Sequence, residues 1–575
     1  MDVPTTKRSA NDALKRAFVP LCLLLLLNAC GGPASAKPTA SPLLGHYTFT
    51  PAPFHVPRGE LVLGSVTFPT TANPLFASTD ADLALNNALW GQPVVYDARF
   101  HVLPDELTEV PLPENGDVID GGKTIIMHLR HDLRWSDGQP LLAGDFQYWW
   151  QLNQDAMTGA TIHTGYDQIA SIDIPDDFTV VLHMKRPFGP YLFYLPYAAP
   201  RHAWQQVHPI DLQNTPTIFS TPRVTSGPYQ ILAMTANQRY TLVPNAYYRS
   251  TTFHGPFITR LSYQVYPTIS ALVQAIQTGQ VAVSQGYRDD DLPALAHLPS
   301  AIQISATPTA AYEHLDFNLS RPFLQDINVR RAIQLAIDMC GITRTALHTS
   351  DCVRRVTQVE PLPSLFYDAS IVASRYDPAA ARLLLARAGW QLDAQGLLTR
   401  RGQPLMLHLV TTAQSLLRLL VAQEIRRYLH AVGIQVKIDT YSLNSFFDIY
   451  TKGGILAGGA YDMALFTYAN SPDPDDEYGV FHSSQIPDAN HPELSNYGRV
   501  HDAVIDQALT QGRDSVTLAD RVAAYHHFLA RLADQVYVIP LFTDTNRMTV
   551  DARVHNVVPN ANPSANTWNI GDWWL

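Results

Sequence analysis

"LMLHLVTTAQSLLRLLVAQEIRRYLHAVGIQVKI", Leu405 to Ile438, changes its hydrophobic period twice. From Leu405 to Val410 apolar and polar side chains alternate, the period of a strand. From Ser415 to Val432 the apolar positions Leu416, Leu419, Leu420, Ala422, Ile425 and Leu429 follow helical spacing, and Gly433 stops the run. Ile434, Val436 and Ile438 then alternate again. Strand, helix and strand with short joints form a βαβ unit, which predicts an α/β lobe with a largely parallel sheet.

The flanking sequence extends this pattern. Asp377-Pro378 opens "PAAARLLLARAG", a helix with an N-cap oxygen, Pro at its first position and Gly389 beyond its last apolar turn. A last helix over Leu518 to Asp534 and the strand "VYVIPLF" repeat the theme near the C-terminus. The first half has fewer long helices and more turns. "TIIMHLR" and "TVVLHMK" suit strands with one face in water. "RWSDGQPLLAGDF" reads as a strand end, a Ser-Asp-Gly turn and a helix capped by a small polar residue.

At the N-terminus "LLLLLNACGG", Leu23 to Gly32, ends an apolar run of about a dozen residues that is too short to span a bilayer. Lys7, Arg8, Lys15 and Arg16 precede it and Ala29 follows, the parts of an export signal over residues 1–29. The order Leu27-Asn28-Ala29-Cys30 resembles the lipobox of bacterial lipoproteins. That resemblance implies cleavage before Cys30 and its acylation, with residues 30–44 as a tether rich in Ala, Gly, Ser and Pro.

About 545 residues follow the cut, more than one core holds, so two or more lobes are expected. The whole chain carries a formal charge of -11. The basic signal accounts for two positive charges of that balance, so the remainder is more acidic still, which argues against nucleic acid as a partner. After Cys22 and Cys30, only Cys340 and Cys352 are left. In an exported chain they are a candidate bridge closing a short loop, or two buried thiols.

An ordered series of segments then resembles a known family. "TTANPLF", "WSDGQPLLAGDF", "SIDIPDDFTVVLHMKRPF", "TSGPYQIL", "PNAYYR", "FNLSRPFLQDINVRRAIQLAID", "YDPAAARLLLARAGW", "YDMALFTYANSPDPDD" and "VIPLF" match, in chain order, the extracytoplasmic solute-binding proteins of family 5. These are the oligopeptide, dipeptide and nickel-binding components of importers of the ATP-binding cassette (ABC) type. The resemblance implies a two-lobed α/β fold of the periplasmic-binding-protein type, class II or cluster C, with a subdomain inserted in lobe I. Lobe I would take about residues 45–98, 206–317 and 541–575, the insertion about 99–205, and lobe II about 318–540. The chain would cross between lobes near Phe317-Asn318 and near Pro540, the expected hinges.

Many of these residues have scaffold readings of their own. Asp137-Gly138 suits a tight turn beside Trp135, and Gly227-Pro228 a bend entering the sheet. Asp326 can cap a helix whose Val329, Ala332, Ile333, Ala336 and Ile337 form one buried stripe.

For the ligand, the resemblance implies an acid just before the "DP" pair of the "YD…DP" segment, facing a ligand ammonium. Here the segment is one residue short, and counting from either end places Asn470 or Ser471 there, neither an acid. A buried ammonium would lack its counter-charge at that point. The other pocket candidates by resemblance are Asp544 beyond "VIPLF", His314 in "YEHLDFN", Phe466 and Tyr468 as apolar walls, and Thr79 and Asp80 on the lobe I wall. "DPDDEY" lacks the Gly and the ligand spacing of an EF-hand, so it reads as a solvated acidic turn and no metal or other cofactor is expected.

The function these features imply is capture without chemistry. A monomer on a lipid anchor, outside the cytoplasmic membrane, would close on a peptide or other small solute and deliver it to permease subunits. The rival readings are a secreted hydrolase on a similar scaffold, for which no G-x-S-x-G or HExxH motif is present, and a sensor that presents ligand to a receptor.

Overall fold

The stretch that decides the fold forms the strand Met406–Thr412, the helix Leu416–His430 and the strand Gln435–Tyr441. Ser415 caps the helix by accepting the Arg418 N–H, and Val421, Ala422, Ile425 and Leu429 turn inward and are fully buried. The two strands pair in parallel from Met406 opposite Gln435 to Thr412 opposite Tyr441. Met463–Ala469 joins in parallel on the other side of Met406–Thr412. The computed structural model describes residues 50–575 apart from 289–290, 348–351, 353, 363 and 563–565. The expected export signal, Cys30 and the tether to residue 44 therefore lie outside the described residues.

These strands belong to a ten-stranded mixed sheet that runs through both lobes. Its spatial order is Gln435–Tyr441, Met406–Thr412, Met463–Ala469, Ile302–Phe317, Val538–Asp551, Val283–Tyr287, Glu60–Ser65, Arg260–Val265, Arg239–Pro244 and Tyr229–Thr235. The two central members are long antiparallel partners, and each contributes one end to each lobe. Tyr312 to Asp316 pair with Val538 to Thr543 in the second lobe, and Ile302 to Pro308 pair with Thr545 to Asp551 in the first. Between these blocks the register breaks, with Thr309, Ala310 and Ala311 bulging opposite Asp544.

Separate cores confirm the two-lobed α/β architecture. Leu61, Leu85, Tyr229, Met548 and Trp573 share one core with the insertion residues Ile125, Trp135 and Leu182. Leu315, Ile333, Leu407, Ile425, Leu465 and Ile539 form another. Each such fully buried aliphatic side chain contributes about 1.5–3 kcal/mol relative to an exposed one. In the second core the helix Ile327–Ala336, capped by Asp326, buries Val329, Ala332, Ile333 and Ala336, with Ile337 just beyond its end. The helix Pro378–Arg387 begins on Asp377, which accepts the Ala380 N–H. No helix among the described residues is long and apolar enough to cross a membrane.

The insertion carries its own four-stranded sheet, in which Thr124–His128 and Thr179–Met184 pair antiparallel. Val180, Leu182 and Met184 point inward while Thr179, Val181 and His183 are half-exposed, as the alternation predicts. The helix after "WSDG", Ala143–Gln154, differs from expectation because Leu142 rather than a small polar residue precedes it. Asp145 closes that end from inside the helix, accepting the Leu142 N–H at 3.1 Å and the indole N–H of the fully buried Trp135 at 3.0 Å. Gly227 donates to the Leu89 carbonyl at 2.8 Å, and a Cβ there would lie 2.5 Å from the Leu89 and Trp90 backbone, so the bend tolerates no side chain.

The two ends of the described chain meet on the first lobe. Ala52 N–H donates to Asp572 at 2.9 Å, Arg58 Nε donates to the Leu575 carbonyl at 2.8 Å, and the His55 ring stacks 3.9 Å from Trp574.

Candidate functional site

The insertion and the second lobe touch along a seam built from two short, unusual sequences. On the insertion side "GPYLFYLPY", Gly189 to Tyr197, turns at Gly189-Pro190 into the 3-10 turn Gly189–Tyr194 and brings several aromatics together. On the other side is "ANSPDPDDEY", Ala469 to Tyr478, which leaves the Met463–Ala469 strand and enters the helix Asp476–Phe481. Tyr96, Tyr191 and Leu192 face Phe366, Pro472 and Arg521 across a narrow cavity. Arg186 and Asp514 approach to 3.7 Å, and a Cβ on Gly189 would lie 2.6 Å from Arg521 Nε. A second cavity opens within the first lobe and insertion, walled by Trp149, Tyr166, Phe193, Tyr194 and Tyr197.

The acidic turn is not solvated as its sequence suggests. Asp473 is buried and accepts both Nη atoms of Arg521 at 2.6 and 2.7 Å. Asp475 accepts Nε and Nη2 of Arg513 at 2.7 and 2.9 Å, and that guanidinium lies over the Tyr478 ring at 3.6 Å. Bidentate pairing is what lets two carboxylates enter the protein so close in sequence. Three acids nearby have no such partner among the described residues. Water reaches Asp476, yet the protein around it pushes its carboxyl up to about 6. Glu360 and Glu477 are each 2% exposed and share one amide: Asn470 Nδ2 donates to Glu360 at 3.0 Å and to Glu477 at 3.4 Å. Burial pushes Glu360 up to about 8 and raises Glu477 well above the ordinary carboxyl range.

A pH dependence follows. Raised carboxyl values mean that the folded chain binds protons more tightly than the unfolded one. The contribution is fully present below the ordinary glutamate value of about 4.5 and is lost as pH rises through about 8. Urea denaturation of the ligand-free protein across that window should show stability falling with pH, and Glu360→Gln should flatten the fall. An identical slope in the variant would contradict the assignment.

Of the residues singled out by sequence, the structure groups five in the second lobe. His314 is fully buried, stacks on Tyr468 at 4.7 Å and meets the edge of Phe466 at 4.3 Å. Its Nε2 lies 3.7 Å from Asp316 and neither ring nitrogen finds a hydrogen-bond partner among the described residues. Asn470 also donates to the Val359 carbonyl at 2.7 Å, and Ser471 Oγ donates to the Asp473 carbonyl at 2.7 Å. Asp544 sits apart, half-exposed opposite the bulge and 3.6 Å from Arg354. Thr79 caps the helix Asp80–Leu89 in the first lobe by accepting the Asp82 N–H, and Asp80 is its exposed first residue. Cys340 and Cys352 are joined as a disulfide with Cα atoms 5.1 Å apart, well inside the range a bridge requires.

Sequence reading passed over Glu360, Arg513, Arg521 and the aromatic wall. The density of aromatics in Gly189 to Tyr197 was the one available signal; the arginines lie in ordinary helical patterns far along the chain from the acids they meet.

Comparison with known proteins agrees with this architecture. The family model described as "Bacterial extracellular solute-binding proteins, family 5 Middle" matches residues 110–488. The oligopeptide-binding protein AppA of Bacillus subtilis is 24% identical over 578 residues, covering 98% of each chain. Its structure with a nonapeptide superposes with a TM-score of 0.66 at 21% identity, over 90% of this chain and 99% of that one. NikZ of Campylobacter jejuni, solved with Ni(L-His), superposes with a TM-score of 0.70 at 21% identity, over 90% of this chain and 100% of that one. With the two lobes, the paired crossing strands and the seam already in place, the match over most of its length shows that this chain belongs to the family 5 bacterial extracellular solute-binding proteins.

Proposed function

We propose that the protein is the capture subunit of an ABC importer: it closes its lobes on a small solute outside the cell and delivers it to a membrane permease, held at the membrane by an acylated Cys30. The observation that carries this reading is the break in register at Thr309–Ala311 opposite Asp544, where the two longest strands among the described residues pass between separate cores. Bulged backbone at that point can change its torsion angles while the paired blocks on either side keep their hydrogen bonds. Flexing there, on the first-lobe side of Phe317 and Pro540, opens and shuts the seam. A solute that touches both lobes only when shut stabilises the shut form by those added contacts.

The test is a melting screen of the secreted chain against peptides, oligosaccharides and metal chelates, followed by small-angle scattering with whatever binds. A ligand at about 100 times its Kd should stabilise the native protein by about 2.7 kcal/mol. Its saturation should also lower the radius of gyration. Saturation with an unchanged scattering profile would remove closure from the account, and turnover with product release would replace capture by catalysis.

Export also bears on the Cys340–Cys352 pair, because an oxidising compartment keeps such a bridge closed. Its loop is short, with a sequence separation of 12, so reduction or a Cys340→Ser, Cys352→Ser double variant should cost about 3 kcal/mol. Urea midpoints with and without dithiothreitol measure this, and coincident midpoints would show that the bridge does not constrain the unfolded chain.

A further inference from the structure

We propose that the solute is an organic cation, an ammonium or guanidinium group on an apolar body, received by Glu477, Glu360 and Asp476 of the second lobe. The proposal rests on the capture reading above and names its substrate class.

The argument begins with a charge count inside the seam. Five acids lie together, Asp473, Asp475, Asp476, Glu477 and Glu360, each within the field of at least one other. Arg521 and Arg513 each neutralise one of them in bidentate geometry. Glu360, Asp476 and Glu477 have no Lys, Arg or His in ion-pair contact among the described residues. Surface acids are routinely left unpaired, but Glu360 and Glu477 are buried, where an unpaired carboxyl stays neutral and a bound cation is what would let it ionise.

The second observation is a set of buried polar atoms left over in the same place. Glu477 Oε2, Tyr312 Oη and Tyr468 Oη find no hydrogen-bond partner among the described residues. Glu477 is the charge that acts most strongly on the Tyr312 hydroxyl, and it also acts on Tyr468. Asn470 supplies donors to both glutamates and no positive charge. An ammonium or guanidinium provides the two things the cluster lacks: positive charge for the carboxyls and N–H donors for the Glu477 and tyrosine oxygens.

The apolar body is placed by the opposite wall. Tyr194 lines the aromatic cavity of Trp149, Tyr166 and Tyr197, and Asp476 is the acid that acts most strongly on its hydroxyl. The seam cavity also brings Tyr96, Tyr191 and Phe366 together with Pro472 and Asp473 of the acidic turn. Aromatic faces attract cations as well as apolar groups, so one ligand satisfies both walls.

The experiment compares matched probes on the whole secreted chain by melting shift and calorimetry. Phenethylamine and phenylalaninamide are the cations, phenethyl alcohol the neutral match and 3-phenylpropionate the anionic match. The cations should raise the melting temperature, and their affinity should fall at least tenfold in Glu477→Gln and in Asp476→Asn. Glu477→Gln keeps the shape of the protonated side chain, so its ligand-free melting temperature checks that it folds, and the water-accessible Asp476→Asn is a second, milder probe. Equal shifts from the neutral or anionic probes, no shift from either cation, or undiminished affinity in both variants would each overturn the proposal. If an uncharged or acidic solute instead compacts the protein in scattering, capture stands and the cation assignment alone is lost. If no probe or screened solute of any charge changes melting or scattering, both are lost.

Discussion

Arg521→Ala should destabilise the protein by about 3–5 kcal/mol, because it strips the partner from a buried acid. Arg521 is 4% exposed; its two Nη atoms grip Asp473, its Nε donates to the Gly512 carbonyl at 3.0 Å, and its face rests 5.2 Å from the Phe366 ring centre. Alanine removes all of these and leaves Asp473 desolvated among Asp475 and Asp476. The loss should be visible as a lower urea midpoint with an unchanged slope. Removing the acid as well, in Arg521→Ala with Asp473→Asn, should recover part of it, since the stranded charge is the main cost. Arg521→Lys should fall between, because an ammonium cannot make the two parallel bonds that Asp473 now accepts. A single-variant loss below about 1 kcal/mol would mean that the pair is solvated in a way its burial does not show.

Gly189→Ala should act on closure rather than on folding. The added methyl meets the Ser515 carbonyl oxygen and the Arg521 side chain, both across the seam, and backbone cannot swing aside as a flexible side chain can. Overpacking of this kind costs about 1–3 kcal/mol, and two contacts this tight belong at the upper end. The shut form alone bears that cost, so solute affinity should fall about a hundredfold, equivalent to about 2.7 kcal/mol. The ligand-free melting temperature should move little, since neither core is touched. Scattering should show a larger radius of gyration in the variant than in the parent chain. Equal affinity in the two would place Gly189 outside the closing surface.

The fold was legible where one face of an element is buried and its neighbours in sequence write the ends. Asp377 and Asp326 cap the helices predicted for them, and the Leu405 to Ile438 periods return as parallel strands around a helix. The helix after Leu142 was misread at its start because Asp145, three residues inside, closes it. The site was legible only in part. His314, Phe466 and Tyr468 do stack together, since strand alternation brings residues 466 and 468 beside 314 on the neighbouring strand. The acidic turn was misjudged because its charge partners come from helices Ala503–Asp514 and Leu518–Gln535, tens of residues away. Glu360 was invisible for the same reason: nothing local marks an acid that meets Asn470 across 110 residues of chain.

The stapling of residues 52–58 to the C-terminal tail has a mechanical consequence. Whatever holds the protein by either end grips the first lobe alone. Among the described residues the chain passes into the second lobe along the two long strands. On the anchoring and closure proposed above, a swing of the second lobe would therefore tug on neither of these ends, and its mooring would be neither reeled in nor let out.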